Sequence, residues 1–412
     1  MKKICSVILL FVLIALPVFA FASCGNRDTV TLYVYNWGEY ISDGSEGSYN
    51  TNAAFETWYY ETYGERVKVN YSTYSSNEDM YAKLSGGASK YDVIIPSDYM
   101  IARMIEENML HPLNKENIPN LVNIDLEQVF GDEAPFYDPK QAYSVPYTYG
   151  TVGIIYNTKM VDEADIGSWD LMWNTKYKGN ILQFNNSRDA FATAQFKLGY
   201  SVNTADEAEW RAALEALKEQ KEIVQGYVMD EIFNKMENGS AAISAYYAGD
   251  FLTMYEKNHD LAFFYPTEGT NIFVDAMCIP ATSQHTEIAE RYINFMLSEE
   301  PAIANAEAIC YASPNRLVVQ NEGYRADMEE TYEGIDVMDI LYGTSEIPME
   351  FYENLPAEQL ALINTLWEEL KIESPVNTTI IVVAIIVVVI LAGLGIFFGV
   401  RRHRRKKRLI FD

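Results

Sequence analysis

Apolar residues follow three rhythms along this chain. Residues 7–19 form an apolar run broken only by Pro17; Lys2 and Lys3 precede it, and the small residues Ala20, Ala22 and Ser23 follow. That is the pattern of an exported leader. Residues 380–400 contain neither charge nor hydroxyl, a length that matches a bilayer core. Between these runs, short β-rich stretches alternate with helical periods. Strands are predicted at 31–35, 67–71, 91–95, 152–156, 180–184, 241–245, 261–265 and 275–279.

The helical periods are equally legible. Phe55, Trp58, Tyr59, Thr62 and Tyr63 share one helix face, which Gly64 stops. Ser76-Asn77-Glu78-Asp79 opens another helix like a capping box, ending at Gly86-Gly87. Trp210, Leu214 and Leu217 mark a third, and residues 357–371 the last before the apolar run. Alternation over this length predicts an α/β protein with a largely parallel sheet, in two lobes. No internal repeat is visible.

The ends carry address signals. Phe21-Ala22-Ser23-Cys24 resembles a bacterial lipobox, in which Cys24 would become a lipidated N-terminus; an ordinary leader that happens to hold a cysteine is the alternative. Residues 401–412 are strongly basic, which by the positive-inside rule puts the C-terminus in the cytoplasm and the body outside. The expected location is the outer face of the cell membrane.

Charge sharpens this picture. The chain has 31 Lys+Arg against 58 Asp+Glu. Without the basic tail and Lys2 and Lys3, 22 basic side chains face 57 acidic ones, a net −35. Such a body repels nucleic acid and draws in cations. Cys278 and Cys310, the only cysteines beyond Cys24, sit in apolar stretches, so the fold does not depend on disulfides.

Catalytic signatures are missing. The four histidines have no metal spacing, and the sequence contains no Gly-x-Ser-x-Gly, no Walker A loop and no Gly-x-Gly-x-x-Gly after a strand. An enzyme is not expected, nor a cofactor or resident metal, although acidic residues this numerous leave a carboxylate-only hydrolase open. What abounds is tyrosine, 30 of 55 aromatics. Outside the helical stripes, aromatics stand beside carboxylates at predicted strand ends: Trp37 to Tyr40 around Glu39, Asp98-Tyr99, Tyr246-Tyr247 near Asp250, and Phe273-Val274-Asp275. Ligands of open α/β sheets bind beyond the carboxyl ends of strands. Carboxylates there would pair with ammonium groups while rings hold methylenes and cation, so an elongated organic cation fits.

Several longer blocks occur in order. They include Leu32-Tyr33-Val34-Tyr35-Asn36-Trp37-Gly38-Glu39-Tyr40, Tyr91-Asp92-Val93-Ile94-Ile95-Pro96-Ser97, Ser144-Val145-Pro146-Tyr147-Thr148-Tyr149-Gly150 and Tyr311-Ala312-Ser313-Pro314-Asn315. With them, nearly all of residues 30–372 resembles the substrate-binding proteins of bacterial spermidine/putrescine ABC importers. The resemblance implies a periplasmic-binding-protein-like fold, two doubly wound sheets joined by a hinge, closing on ligand like a clamp. The chain would cross near Tyr147 and Phe273, and again after Tyr311. The implied organisation is a signal peptide at 1–23, lobe 1 at 28–147 and 274–325, lobe 2 at 148–273 and 326–372, a stalk at 373–379, one transmembrane helix at 380–400 and a cytoplasmic tail at 401–412.

The resemblance also assigns roles. Trp37, Glu39 and Tyr40 would line one wall, with Ser97 and Tyr99 at the end of the third strand. Asp189 matches an amine-binding carboxylate, and Phe273 and Asp275 match the aromatic and the central carboxylate at the crossing. Tyr247 stands where the family often has Trp, and Tyr311 matches a further wall aromatic. Asn186 replaces a second Asp of spermidine binders, whereas Tyr247-Ala248-Gly249-Asp250 is similar to the Trp-Ala-Gly-Asp of putrescine-preferring members; the balance leans to putrescine, with spermidine close behind. The implied partners are a polyamine and the permease subunits of an ABC importer. A lipid together with a C-terminal helix departs from the family's usual single anchor. Two rivals stay open: a ferric-ion-binding protein of similar build using Tyr246-Tyr247, and a polyamine-sensing receptor ectodomain.

Overall fold

The computed structural model describes residues 29–87, 90–131, 134–343 and 347–372. The leader, Cys24, the stalk, the apolar run 380–400 and the basic tail lie outside the described residues. Among those described, no helix is long and apolar enough to cross a membrane.

Local signals set the first elements. Strand β1 (Val30–Trp37) feeds helix α1 (Thr51–Tyr63), whose N-cap Asn50 accepts a hydrogen bond from the Ala53 amide and whose end is Gly64 at φ 68°. On its buried face Phe55 meets Tyr292 and Phe295, and Tyr59 packs against Phe55, which explains the aromatic stripe. Strand β2 (Val67–Tyr74) leads into α2 (Asn77–Ser85), where Ser76 accepts from the Asp79 amide at 3.1 Å, as the capping box predicts. Strand β3 (Val93–Ile94) and helix α3 (Asp98–Glu106) follow.

The long strand β4 (Ser144–Asn157) then enters the second half of the molecule. There stand β5 (Ile181–Phe184), α4 (Ser187–Leu198), α5 (Glu207–Lys221), β6 (Val224–Val228), α6 (Glu231–Glu237), β7 (Ile243–Tyr247), α7 (Ala248–Lys257) and β8 (Leu261–Phe264). Strand β9 (Thr270–Cys278) returns to the first half. Later come β10 (Met349–Glu350) and a closing helix at Ala357–Ile372.

The strands form one mixed sheet in the order β2-β1-β3-β9-β4-β7-β5-β6. This corrects the expectation of a largely parallel sheet. β1 pairs in parallel with β2 and β3, and β5 in parallel with β6 and β7, but β9 and β4 run antiparallel to each other and to their neighbours β3 and β7. The cause is the return path: a chain that crosses from one half to the other and comes back beside itself must pair antiparallel. The ladder between β4 and β9 slips between Pro146 and Thr148, where proline has no amide hydrogen to give.

Two hydrophobic cores flank this crossing. One packs Leu32, Val34, Phe55, Tyr59 and Tyr292; the other packs Ile154, Trp169, Leu182 and Phe251. The architecture is therefore a two-lobe α/β fold with β4 and β9 as the bridge. The expected partition points at 147/148 and 273/274 fall within those two strands. Strand β6 had no signal in the sequence, because Gly226 and Gln225 interrupt its apolar alternation. Cys278 and Cys310 are free and buried.

Candidate functional site

A cleft opens where the two halves meet, enclosing about 790 Å³ of atom-free space with the solvent at its mouth included. All eleven residues marked in the sequence line it: Trp37, Glu39, Tyr40, Ser97, Tyr99, Asp189, Tyr247, Asp250, Phe273, Asp275 and Tyr311. Trp37 ends β1 and the turn after it carries Glu39 and Tyr40, with Glu39 in the left-handed region at φ 48°. Trp37 is fixed by its indole N–H, which donates to the Ile95 carbonyl at 2.9 Å.

Asp275 is the most tightly held carboxylate. Ser97 donates to its Oδ1 at 2.6 Å and Tyr40 to its Oδ2 at 2.7 Å. Each donor is itself oriented: Thr148 shares a 2.7 Å hydrogen bond with the Tyr40 hydroxyl, and Asn77 donates to the Ser97 hydroxyl at 3.0 Å. Ser97 occupies the N-cap position of α3 yet makes no side-chain cap. Its hydroxyl is spent on Asp275 instead. Burial pushes the Asp275 carboxyl up to about 6, against the opposing pull of the Ser97 and Tyr40 hydrogen bonds. Phe273 and Asp275 lie inside β9 rather than at a strand end, since β9 begins five residues before the predicted start.

Asp189 has a comparable clamp across the cleft. Tyr247 donates to Oδ2 at 2.6 Å, Asn186 to the same oxygen at 2.7 Å, and Tyr352 to Oδ1 at 2.9 Å. Asn186, which stands where an Asp is common, thus caps α4 and holds Asp189.

Asp250 sits in the first turn of α7 and is half-buried. Burial raises its carboxyl to about 8; a hydrogen bond from Tyr311 pulls the other way, and the negative charges of Asp230 and Glu39 add to the rise. The neighbour Gly249 is required by contact. A Cβ there would stand 2.3 Å from the Tyr311 ring and 2.7 Å from the Cys310 carbonyl, so only glycine lets Tyr311 reach the cleft.

The sequence reading missed part of the lining. Glu78, half-buried beside Tyr99, accepts that hydroxyl at 2.9 Å, and burial raises its carboxyl. Asp230 reaches across to the β1 turn, where a Cβ on Gly38 would lie 2.7 Å from its Oδ2. Arg188, Asn271 and Tyr352 complete the inner end. In the sequence Glu78 reads as part of a helix cap; Asp230 follows a strand the pattern does not reveal; Tyr352 lies far away along the chain, beside a two-residue strand.

Six carboxylates therefore face one arginine. Phe273 and Tyr247 meet edge-on with centroids 5.3 Å apart, as do Tyr40 and Tyr311 at 5.1 Å, so their ring faces border the same space. Among the described residues, no group of three or more His, Cys, Asp or Glu is arranged to hold a metal ion. Tyr246 is nearly fully buried, and the Tyr247 hydroxyl is committed to Asp189.

Comparison with known proteins agrees with this build. A spermidine/putrescine-binding periplasmic protein of Salmonella typhimurium is 36% identical over 291 residues, 70% of this chain and 78% of the relative. The structure resembles a spermidine/putrescine ABC transporter substrate-binding protein of Streptococcus pneumoniae, with TM-score 0.62, 32% identity and coverage of 83% of this chain and 99% of that one. The Tp0655 (TpPotD) lipoprotein of Treponema pallidum gives TM-score 0.66 at 25% identity, covering 82% and 99% of the two chains. Residues 53–330 match the family described as bacterial extracellular solute-binding protein. The two lobes, the cleft between them and this match agree: the chain belongs to the bacterial extracellular solute-binding proteins.

Proposed function

We propose that this chain is the extracytoplasmic substrate-binding component of a polyamine ABC importer, taking putrescine or spermidine between its lobes. One observation carries the reading. Glu39, Glu78, Asp189, Asp230, Asp250 and Asp275 converge on a cleft where, among the described residues, Arg188 is the only cationic lining side chain. A neutral or anionic solute would leave that charge unmatched. A flexible di- or triammonium chain matches it, with its methylenes against Trp37, Tyr247, Phe273 and Tyr311 and each cation–π contact contributing about 0.5–2 kcal/mol.

The chain then acts without covalent chemistry. The lobes pivot about β4 and β9, with 28–147 and 274–325 moving against 148–273 and 326–372. An ammonium entering the open cleft meets Asp275 already oriented by Ser97 and Tyr40, so little reorganisation opposes binding. Closure strips water from the cation and strengthens each ion pair in the lower dielectric. The closed form docks on the permease subunits, which ATP hydrolysis on the importer's other subunits drives. A lipid on Cys24 and the apolar run 380–400, with the tail 401–412 inside, would hold the body at the outer membrane face and raise its effective concentration near the permease.

Calorimetric titration of the full-length chain with putrescine, spermidine, spermine and ferric ion tests this. Saturable one-to-one binding of a di- or triamine is expected. Silence toward all amines would overturn the reading, and a ferric signal alone would revive the iron-binding rival.

A further inference from the structure

Arg188 is an anomaly in a cleft built for cations. It lies in the first turn of α4, only 4% exposed, with its guanidinium 4.5 Å from the Tyr352 ring centre and 5.4 Å from that of Tyr99. Its Nη2 donates to the Asn203 Oδ1 at 3.1 Å, whereas Nε and Nη1 are buried without any hydrogen-bond partner. Asn271 is a second unfinished group. It is 1% exposed, and its Nδ2 is committed to the Glu350 and Ile272 carbonyls, which leaves Oδ1 buried and unpartnered. Both residues line the cleft. They belong to one connected end, because Asn203 also donates to the Glu350 carboxylate at 3.2 Å.

A buried polar group without a partner is costly, so these atoms await one. The spare groups are two donors and one acceptor. An unmodified polyamine carries only donors at its ammonium ends. It can serve Asn271 Oδ1, but it leaves the Arg188 N–H groups unmet and sets a cation beside a cation. A carboxylate end would meet Arg188, yet the negative charges of Glu78 and Asp189 border the same place. A neutral group that both accepts and donates fits all of them.

We infer that the Arg188–Asn271 end of the cleft receives the acylated end of an N-acylamine, an acyl-capped polyamine, whose free ammonium pairs with the carboxylates elsewhere in the cleft. The amide oxygen accepts from Arg188 and the amide N–H donates toward Asn271 Oδ1. Acylation removes one positive charge at the end where the protein supplies its own. The inference rests on the amine-binding reading above and extends its substrate class.

The test is calorimetry on the full-length chain with putrescine, N-acetylputrescine and N-ethylputrescine, the last of similar bulk but without a carbonyl. N-acetylputrescine is expected to bind at least as tightly as putrescine and roughly tenfold more tightly than the ethyl compound. In Arg188→Met, the ratio of acetylated to free-diamine affinity should drop by about tenfold. If the acetylated ligand binds the native chain more than about a hundredfold weaker than putrescine, or if the variant leaves the ratio unchanged, the inference is overturned and water fills this end. Should Arg188→Met fail to fold by circular dichroism, the three-ligand comparison on the native chain decides. No heat with any amine would instead count against the parent reading.

Discussion

The cleft holds two kinds of carboxylate. Asp275 and Asp189 are 3% and 7% exposed, and every oxygen of each is held by an oriented hydroxyl or amide donor. Glu39 and Asp230 are exposed, Asp250 is half-buried, and among the described residues no side chain donates to the Asp230 carboxylate. The inner pair is preorganised, so its geometry is fixed before ligand arrives. Glu39 and Asp230 form a diffuse negative rim, suited to attracting a cation and tolerating different chain lengths, while Asp250 and Glu78, each with a single tyrosine donor, stand between the two kinds. The difference teaches that charge alone does not define a site: the donors behind a carboxylate decide whether it selects or only attracts.

Damage by substitution should scale with the clamp. Asp275→Ala is expected to abolish measurable binding by calorimetry; affinity retained within about threefold would contradict the assignment. Ser97→Ala keeps the charge but removes one of its two donors. A hydrogen bond to a charged group contributes about 1.5–3 kcal/mol, so a loss of at least tenfold is expected. An unchanged affinity would mean that the Asp275 clamp is ornamental.

The pH response separates the two classes further. Asp275 and Asp250 rise to about 6 and 8 by burial, above the ordinary carboxylate range. An ammonium favours the ionised form, so binding near neutral pH should release protons, and affinity should fall as pH drops from 8 toward 6. Titrations in buffers of different ionisation heat read this directly, and a proton count of zero would exclude it. The sign for the empty protein is opposite. A carboxyl raised on folding retains its proton where the unfolded chain has lost it, so the stability these groups give is full below the unfolded value near 4 and declines as pH rises toward 8. Asp250→Asn should therefore weaken amine binding more at pH 8 than at pH 6, and raise the ligand-free melting temperature by about 2 °C at pH 8.

The smallest effect belongs to the rim. Asp230→Asn should weaken affinity only about twofold to fivefold, chiefly through a slower association rate that salt erases. A loss as large as that of Asp275→Ala would place Asp230 among the selecting groups and dissolve the distinction.

Much of this protein could be read along the chain. The helix at Thr51–Tyr63, its stop at Gly64 and the Ser76 cap are local events, set by side chains within one turn of one another, so sequence order suffices to find them. Most of the aromatic–carboxylate pairs at strand ends were legible for the same reason. Strand β6 was not, since Gly226 breaks its alternation and only pairing with β5 makes it a strand. The antiparallel crossing of β4 and β9 was hidden as well: Pro146 masks half of β4, and strand direction is a property of pairs, not of single segments.

The sequence by itself determined the α/β class, the acidic body, the apolar and basic ends, and a set of aromatic and carboxylate residues that share one cleft. Tertiary structure alone decided how each is held. Ser97 and Tyr40 reach Asp275 from 178 and 235 positions away, and Tyr352 reaches Asp189 from 163. No periodicity encodes such distances. Residue type fixes what a side chain can do, but folding chooses its partner, and the partner sets charge, orientation and selectivity.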